Sequence, residues 1–210
     1  MAGRWAHGII AAGACAAFAT GTLVAGGVQA TFTDHSEISG TIRAGYWAPQ
    51  ECAGRDFDTT FVGTDGNDVA PAANKNQLIL GLAGDDTLSG GNGDDCIDGG
   101  AGNNTISGGN GSDVIVAGDG DNVVDTGNGD DEVVLGNGNN VIATGNGKDV
   151  TRLGSGTNKF VGGNGDDTVY IGDGFNNVID GGRGSNVCYL PHALPYHGDS
   201  VIHCQIKGAP

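Results

Sequence analysis

Residues 90–170 decide the fold, because they repeat one nine-residue unit without an insertion: GGNGDDCID, GGAGNNTIS, GGNGSDVIV, AGDGDNVVD, TGNGDDEVV, LGNGNNVIA, TGNGKDVTR, LGSGTNKFV, GGNGDDTVY. Counted in nines, the frame extends from Gly63 to Ile179, with glycine in the fourth place of every unit except the one that contains Lys75. A fixed short period is the signature of stacked repeat folds, whose end repeats are atypical. The sequence therefore predicts a solenoid.

Each place in the unit has a physical role. Glycine in the second and fourth places, such as Gly109 and Gly111, permits the positive φ of a tight turn. The eighth place is apolar in every unit but one: Ile79, Leu88, Ile97, Ile106, Ile115, Val124, Val133, Ile142, Thr151, Phe160, Val169 and Val178. A turn followed by a three-residue strand with one inward side chain explains this pattern. The prediction is an all-β parallel β-roll with two units in each coil and a thin aliphatic core.

The sixth place alternates strictly between aspartate and asparagine. Because two units make one coil, alternate units stack on opposite edges of the roll. The aspartate edge carries Asp95, Asp113, Asp131, Asp149 and Asp167, and the asparagine edge carries Asn104, Asn122, Asn140, Asn158 and Asn176. The sequence therefore predicts an asymmetric roll with one acidic and one neutral edge.

These residues resemble the RTX, or haemolysin-type, calcium-binding repeat, whose pattern is G-G-x-G-x-D-x-U-x with U a large apolar residue. The resemblance implies a β-roll of eighteen residues per coil. It also implies several Ca²⁺ ions between adjacent coils, held by turn carbonyls and sixth-place carboxylates, which are the hard oxygen ligands that Ca²⁺ prefers. On this basis calcium is expected in the gaps 95/113, 113/131, 131/149 and 149/167. An extra site is expected at the N-terminal end of the other edge, from Asp68 and Asp86.

Two alternatives stay open at this stage. Aspartate and asparagine are ordinary turn residues, so the pattern fits turn chemistry without a metal. Asparagine oxygens also bind Ca²⁺, so the asparagine edge is either a second calcium edge or a neutral hydrogen-bonded ladder. The fifth-place acids, such as Asp94 and Asp130, are interpreted as solvated charges.

The N-terminus predicts a secretory signal peptide over residues 1–30. Arg4 precedes a run of small and apolar residues, and Val28-Gln29-Ala30 places small residues where a signal peptidase cuts. The alternative is a retained membrane anchor. The junction at residues 26–34 is similar to that of camelysin-type secreted proteins, and this likeness also favours export.

The segments beside the repeats are interpreted as caps. Residues 31–62, which include Tyr46 and Trp47, form a predicted N-terminal cap, residues 63–189 the roll, and residues 190–210 a C-terminal cap. The four cysteines after the signal peptide allow three disulfide connectivities. We favour Cys52–Cys96 and Cys188–Cys204, because each would tie a cap to its neighbouring coil. His192, His197 and His203 are interpreted as surface residues, not as a zinc site.

Composition narrows the function. The chain has 25 Asp and Glu against 9 Lys and Arg, a net charge of −16, which argues against nucleic acid and anionic membranes as partners. With 42 glycines and 6% aromatic residues, folding has a large entropy cost and a small core, so Ca²⁺ is expected to be part of folding. The sequence predicts a secreted calcium-binding β-roll that folds after export, at the cell surface or beyond it, as a structural or interaction module.

Other functions are less favoured. The flanking segments are too short for a catalytic domain, so the chain is not expected to be an enzyme. The alternatives are a calcium-dependent accessory, adhesion or ice-binding surface protein, or a detached repeat module of an RTX enzyme. Third-place residues, read in chain order from Asn92 through Ala101 and Asp119, form an irregular row that argues against ice binding.

Outward-facing apolar residues define a candidate partner surface. The seventh and ninth places are expected to point outward, and they include Val114, Val116, Val134, Val150, Tyr170, Val123, Val141, Ala143, Val161 and Ile179. Such residues either suit strands or form a patch for self-association or a cell-surface partner. No membrane contact is expected after signal cleavage.

Overall fold

The computed structural model describes residues 22–25, 28–31, 49–191 and 198–208. Most of the predicted signal peptide, Tyr46, Trp47, His192 and His197 lie outside the described residues. The chain divides into two units, Met1–Trp47 and Ala48–Pro210. In the first, strands β1 (Thr22–Ala25) and β2 (Val28–Thr31) pair as an antiparallel hairpin. Within the described parts of the chain, no helix is long and apolar enough to cross a membrane.

The second unit is a roll of two parallel sheets. The nine-stranded sheet contains β3 (Thr59–Val62), β5 (Gln77–Leu80), β7 (Cys96–Asp98), β9 (Val114–Ala117), β11 (Glu132–Leu135), β13 (Val150–Leu153), β15 (Thr168–Ile171), β17 (Val187–Leu190) and β19 (Gln205–Gly208). The eight-stranded sheet contains β4 (Val69–Ala70), β6 (Thr87–Asn92), β8 (Thr105–Asn110), β10 (Val123–Asn128), β12 (Val141–Ala143), β14 (Lys159–Val161), β16 (Val178–Asp180) and β18 (Ser200–Ile202). Successive strands alternate between the sheets, so each coil contributes one strand to each.

The register confirms two units per coil. Val114 pairs with Cys96 in one neighbouring strand and with Glu132 in the other, and both partners are eighteen residues away. Equivalent places of the unit therefore stack in columns along the roll. The predicted parallel β-roll is confirmed.

The eighth-place residues form the core, as predicted. Ile79, Ile97 and Ile115 are fully buried and stack in one column. A second aliphatic column, which the sequence analysis missed, comes from the first place of units on the asparagine edge. Its members are Ala117, Leu135, Leu153, Ile171 and Leu190, and all belong to the same buried cluster. The core is therefore thicker in the C-terminal half of the roll than in the N-terminal half.

The break in the period falls earlier than the sequence indicated. Lys159 pairs with Val178 and Phe160 with Ile179, so the offset is already nineteen residues. Asn176, exposed and at φ 59°, is the extra residue in the turn. The predictions that Val178 faces the core and Ile179 faces outward are therefore wrong, since Ile179 is fully buried and Val178 is 49% exposed. Asn177 takes the sixth place that was assigned to Asn176.

Both favoured disulfides are confirmed. Cys52–Cys96 ties the segment before β3 to the roll, and Cys188–Cys204 joins two neighbouring coils at its C-terminal end. A short 3-10 turn, Gln50–Cys52, leads into this first segment. Cys52 and Phe57 pack against Val114, and Arg55 donates a hydrogen bond to the Ser112 carbonyl oxygen. The segment around Cys52 and Phe57 thus lies against the outer face of the nine-stranded sheet, and Thr59–Val62 form its edge strand β3.

The outer faces of the two sheets differ. Val114 is buried beneath the segment around Cys52, whereas Val123, Val141 and Val161 on the eight-stranded sheet are at least one-third exposed. On the nine-stranded sheet, Tyr170 and Tyr189 stack with ring centroids 4.6 Å apart. Arg152 and Lys207 lie over the outer ring faces of this pair. Because cations occupy the free ring faces, this row is a self-contained cation–π stack.

Thr151 provides a test of the core. It is the only polar residue of the predicted eighth-place series, it is fully buried, and its hydroxyl has no hydrogen-bond partner. An unpaired buried hydroxyl costs about 1–3 kcal/mol. We expect Thr151→Val to raise the free energy of unfolding by about 1 kcal/mol, measured by denaturant titration at fixed calcium. A lower stability would show that the hydroxyl has a partner.

Candidate calcium-binding edge

Sixth-place side chains tie each coil to the one before it. On the aspartate edge, Asp113 Oδ1 accepts the backbone N–H of Asp95 at 2.8 Å, and Asp131 Oδ1 accepts that of Asp113 at 2.8 Å. On the asparagine edge, Asn122 Oδ1 accepts the N–H of Asn104 at 3.0 Å. The same bond recurs along both edges, so one oxygen of every head group is committed to the preceding coil. At the sixth place, the two edges differ in what the second head-group atom does.

On the asparagine edge the second atom is a donor, and it is satisfied. Asn122 Nδ2 donates to the turn carbonyls of Gly120 at 3.0 Å and Gly118 at 3.4 Å. Asn140 Nδ2 donates to the carbonyls of Gly138 and Gly136 at 3.2 and 3.4 Å. Each amide thus places partial positive charge among the carbonyl oxygens of its own turn. From Asn104 to Asn158, every amide on this edge has a turn carbonyl as its acceptor.

On the aspartate edge the second atom is an oxygen, and it is not satisfied. The Oδ2 atoms of all five aspartates are buried without a hydrogen-bond partner: Asp95, Asp113, Asp131, Asp149 and Asp167. A β-carbon placed on Gly162, the first residue of its unit, would lie 2.5 Å from Asp167 Oδ2. On the other edge, a β-carbon placed on Gly99 would lie 3.0 Å from Asn104 Nδ2. The unpaired oxygen therefore takes the place that the amide nitrogen takes on the asparagine edge.

Burial without a donor changes the protonation of these acids. Burial raises the pKa of Asp95 to about 6, of Asp149 to about 7 and of Asp113 to about 8, against the opposing effect of hydrogen bonds to these carboxyls. The pKa values of Asp131 and Asp167 are also raised by burial. Neighbouring aspartate charges add to these shifts. Each buried carboxyl therefore needs a proton or a cation beside it.

The residues present fit calcium. The donor set along the aspartate edge is carboxylate and carbonyl oxygen, which is the set that Ca²⁺ prefers. Within the described residues, no group of three or more His, Cys, Asp or Glu side chains comes together. A cation on this edge would thus take most of its ligands from turn carbonyls, and a site poor in side-chain ligands and free of sulfur and imidazole does not suit zinc.

Amides close both ends of the aspartate edge, a feature that sequence reasoning missed. At the N-terminal end, Gln77 Nε2 donates to the Gly90 carbonyl at 2.6 Å. At the other end, Asn186 Oδ1 accepts the N–H of Asp167, and its Nδ2 donates to the His203 carbonyl at 3.2 Å. Asn186 is nineteen residues after Asp167, so a count in steps of nine does not assign it to the sixth place.

Asp68 and Asp86, the predicted extra site, differ from each other. Asp86 is buried with an unpaired Oδ2, and burial raises its pKa. Asp68 is half-buried, and its Oδ2 accepts hydrogen bonds from the backbone and hydroxyl of Thr64 at 2.6 and 2.9 Å. Asp86 Oδ1 joins the two coils by accepting the Asp68 N–H at 2.8 Å. Asp86 therefore matches the aspartate edge, whereas Asp68 is already held within its turn.

The third-place residues separate by edge. On the aspartate side they are Asn74, Asn92, Asn110, Asn128, Asn146 and Asn164, an exposed ladder in which each amide donates to the Oδ1 of the preceding asparagine. The predicted irregular row is wrong here, because reading in chain order mixed the two edges. Exposed fifth-place residues with charged side chains, such as Asp130 and Lys148, flank the ladder in sequence, so this surface is charged as well as polar.

A parallel roll of eighteen-residue coils with buried, unpaired carboxylates along one edge defines a class of cation-binding repeat protein. The family model for the RTX calcium-binding nonapeptide repeat, four copies long, matches residues 73–106, 107–142, 135–169, 143–177 and 169–190. These matches span more than half of the chain, which therefore belongs to this family and is a calcium-binding β-roll. No curated protein and no solved structure matches the chain significantly.

The raised pKa values predict an unusual pH dependence. Because the folded carboxyls hold protons that the unfolded chain releases near pH 4, stability without calcium is greatest at low pH and falls as pH rises through about 6 to 8. We expect a higher unfolding temperature at pH 5 than at pH 8 in calcium-free buffer. Calorimetry measures this, and Asp113→Asn should weaken the dependence. Stability that rises over this pH range would contradict the assigned burial.

Proposed function

We propose that this chain is a secreted β-roll that completes its folding by binding calcium along the aspartate edge. Outside the cell it serves as a structural or interaction module. The observation that carries this proposal is the column of five buried aspartates whose Oδ2 atoms lack a donor. Family membership supports calcium as the cation that supplies the missing charge.

The aspartates resist folding when no cation is present. Each must either hold a proton against its ordinary pKa or bury a negative charge next to the aspartate of the adjacent coil. Bound calcium supplies positive charge between the carboxylates. An ion that binds only the folded state stabilises it by about 2.7 kcal/mol at a hundredfold excess over Kd. A chain with 42 glycines and a thin core depends on such contributions.

The two edges are stabilised differently, one by amide hydrogen bonds and the other by calcium. Amide nitrogens on the asparagine edge already occupy the turn carbonyls, as Asn122 and Asn140 do. The same amides donate to the Oδ1 of the next asparagine at 3.1 Å, which ties the coils together without metal. We therefore assign calcium to the gaps 95/113, 113/131, 131/149 and 149/167, with a further site at Asp86 and Asp68.

Export fits this mechanism. Calcium is scarce in the cytoplasm and about millimolar outside, so the chain would pass an export channel before it folds. The predicted signal peptide over residues 1–30 supports this route. N-terminal sequencing of the protein recovered from the culture medium should begin at Thr31. Retention of residues 1–30 in a membrane fraction would contradict cleavage.

A calcium titration of the protein lacking residues 1–30 tests the proposal. We expect about four equivalents on the aspartate edge and one at Asp86 and Asp68, with strand content rising in circular dichroism as they bind. Asp131→Asn removes a buried carboxylate and should lose the two flanking gaps. Asp130→Asn is the matched control, because it removes the same charge at the residue directly before Asp131, where the side chain is exposed. It should keep all equivalents.

Two outcomes would overturn parts of the proposal. Full strand content with no bound calcium would leave a metal-free solenoid. About eight or more equivalents would show that the asparagine edge also binds calcium, against the division proposed above.

A further inference from the structure

The first residue of the unit differs between the edges in step with the sixth. Where the sixth residue is an acid with an unpaired oxygen, the first is glycine or threonine: Gly81, Gly90, Gly108, Thr126, Thr144 and Gly162. On the asparagine edge, Asn122, Asn140, Asn158 and Asn177 follow Ala117, Leu135, Leu153 and Ile171. Asn104 is the exception, because its unit begins with Gly99.

The first and sixth residues meet inside the turn. A β-carbon placed on Gly81 would lie 2.5 Å from Asp86 Oδ2, and one on Gly162 would lie 2.5 Å from Asp167 Oδ2. A first-place side chain therefore starts at the sixth-place head group. Leu135 and Leu153 run from this point into the core, where they are at most 6% exposed.

Threonine shows what kind of side chain the acid units accept. Thr126 and Thr144 are fully buried beside Asp131 and Asp149 in their units. Each hydroxyl donates to the first-place carbonyl of the next coil, at 2.7 Å to Thr144 and 2.9 Å to Gly162. The first place in these units therefore holds either no side chain or a small one that carries a hydroxyl, and never leucine or isoleucine.

The turn backbone follows the same division. In units that begin with Gly81, Gly99 or Gly108, the second residue has positive φ, which is 79° at Leu82, 68° at Gly100 and 119° at Gly109. In units that begin with an aliphatic residue, the second residue lies outside the left-handed range: Gly118, Gly136, Gly154 and Gly172. The second-place carbonyls of Gly118, Gly136 and Gly154 accept hydrogen bonds from the asparagine amides, whereas the Asn104 amide donates to the fourth-place carbonyl of Gly102.

We propose that the first residue of each unit selects which turns bind calcium. Glycine or threonine keeps an open, oxygen-lined turn beside the sixth residue, whereas leucine or isoleucine fills that space and turns the second carbonyl onto an amide. Leu135, Leu153 and Ile171 thus close the asparagine edge to calcium. The turn that contains Gly99 and Asn104 has the positive φ of the acid units at its second residue, and it lacks only the sixth-place carboxylate. This inference rests on the proposed calcium function.

Two sets of variants test this selection by calcium equivalents and by unfolding temperature at one fixed calcium concentration. Asn104→Asp should add about one equivalent, because the turn of Gly99 is open and Asp86 lies on the adjacent coil. Asn140→Asp with Asn158→Asp should add none and should lower the unfolding temperature, because two carboxylates then face Leu135 and Leu153. Adding Leu135→Thr and Leu153→Thr copies the Thr126 and Thr144 units and should restore about one equivalent.

The Leu135→Thr, Leu153→Thr pair alone is the control for lost core packing. Because the four-fold variant also loses that packing, Asn104→Asp supplies an independent measurement. The selection is overturned if the Asn140→Asp, Asn158→Asp variant gains calcium with both leucines in place. It is also overturned if Asn104→Asp gains none while the aspartate edge binds normally. A wild-type chain that binds no calcium would overturn the proposed function as well, which separates the two failures.

Discussion

The hydrogen bond from the sixth-place oxygen to the backbone N–H of the preceding coil is the constraint on which the rest of this roll depends. It fixes the stacking of the turns, and it commits one oxygen of each head group, as in Asp113 and Asn122. The second head-group atom then lies buried among turn carbonyls. A nitrogen there is a donor in an acceptor-rich site, while an oxygen is one more acceptor. At the sixth place, a single atom thus separates a donor that the turn satisfies from an acceptor that needs a proton or a cation.

This difference gives the roll two kinds of cohesion. The asparagine edge and its aliphatic first-place column, from Ala117 to Leu190, are satisfied by the chain itself. The aspartate edge opposes folding until its charge is neutralised. Under the proposed function, the folded state of this acidic chain with its small core would depend on the surrounding calcium concentration. The neutral edge would then limit how many ions are needed to reach that state.

Much of this architecture could be predicted from the sequence. The nine-residue period, the inward eighth place and the alternating sixth place gave the parallel roll, because strict periodicity leaves few other ways to bury Ile97 or Ile115. Both disulfides followed from the need to tie the ends down. The first-place column was missed, since Leu135 and Leu153 share a place with glycines on the other edge. Comparing the units in chain order mixes residues from the two edges, so neither this column nor the third-place asparagine ladder could be recognised. The donor state of buried atoms such as Asp131 Oδ2 depends on three-dimensional neighbours that no spacing reveals.

The one-residue insertion shows which parts of the repeat are fixed. Asn176 adds a residue to one turn, yet the bond between coils is kept. The Asn158 N–H donates to Asn177 Oδ1, and the Asp167 N–H donates to Asn186 Oδ1. The strands keep their pairing on both sides, with Phe160 opposite Ile179. The residue that occupies the sixth place is therefore defined by its hydrogen bond to the preceding coil. A spacing of nine residues is the usual result of that bond. A turn is free to take an extra residue at the surface because the buried column, and with it the choice between amide and carboxylate, is left undisturbed.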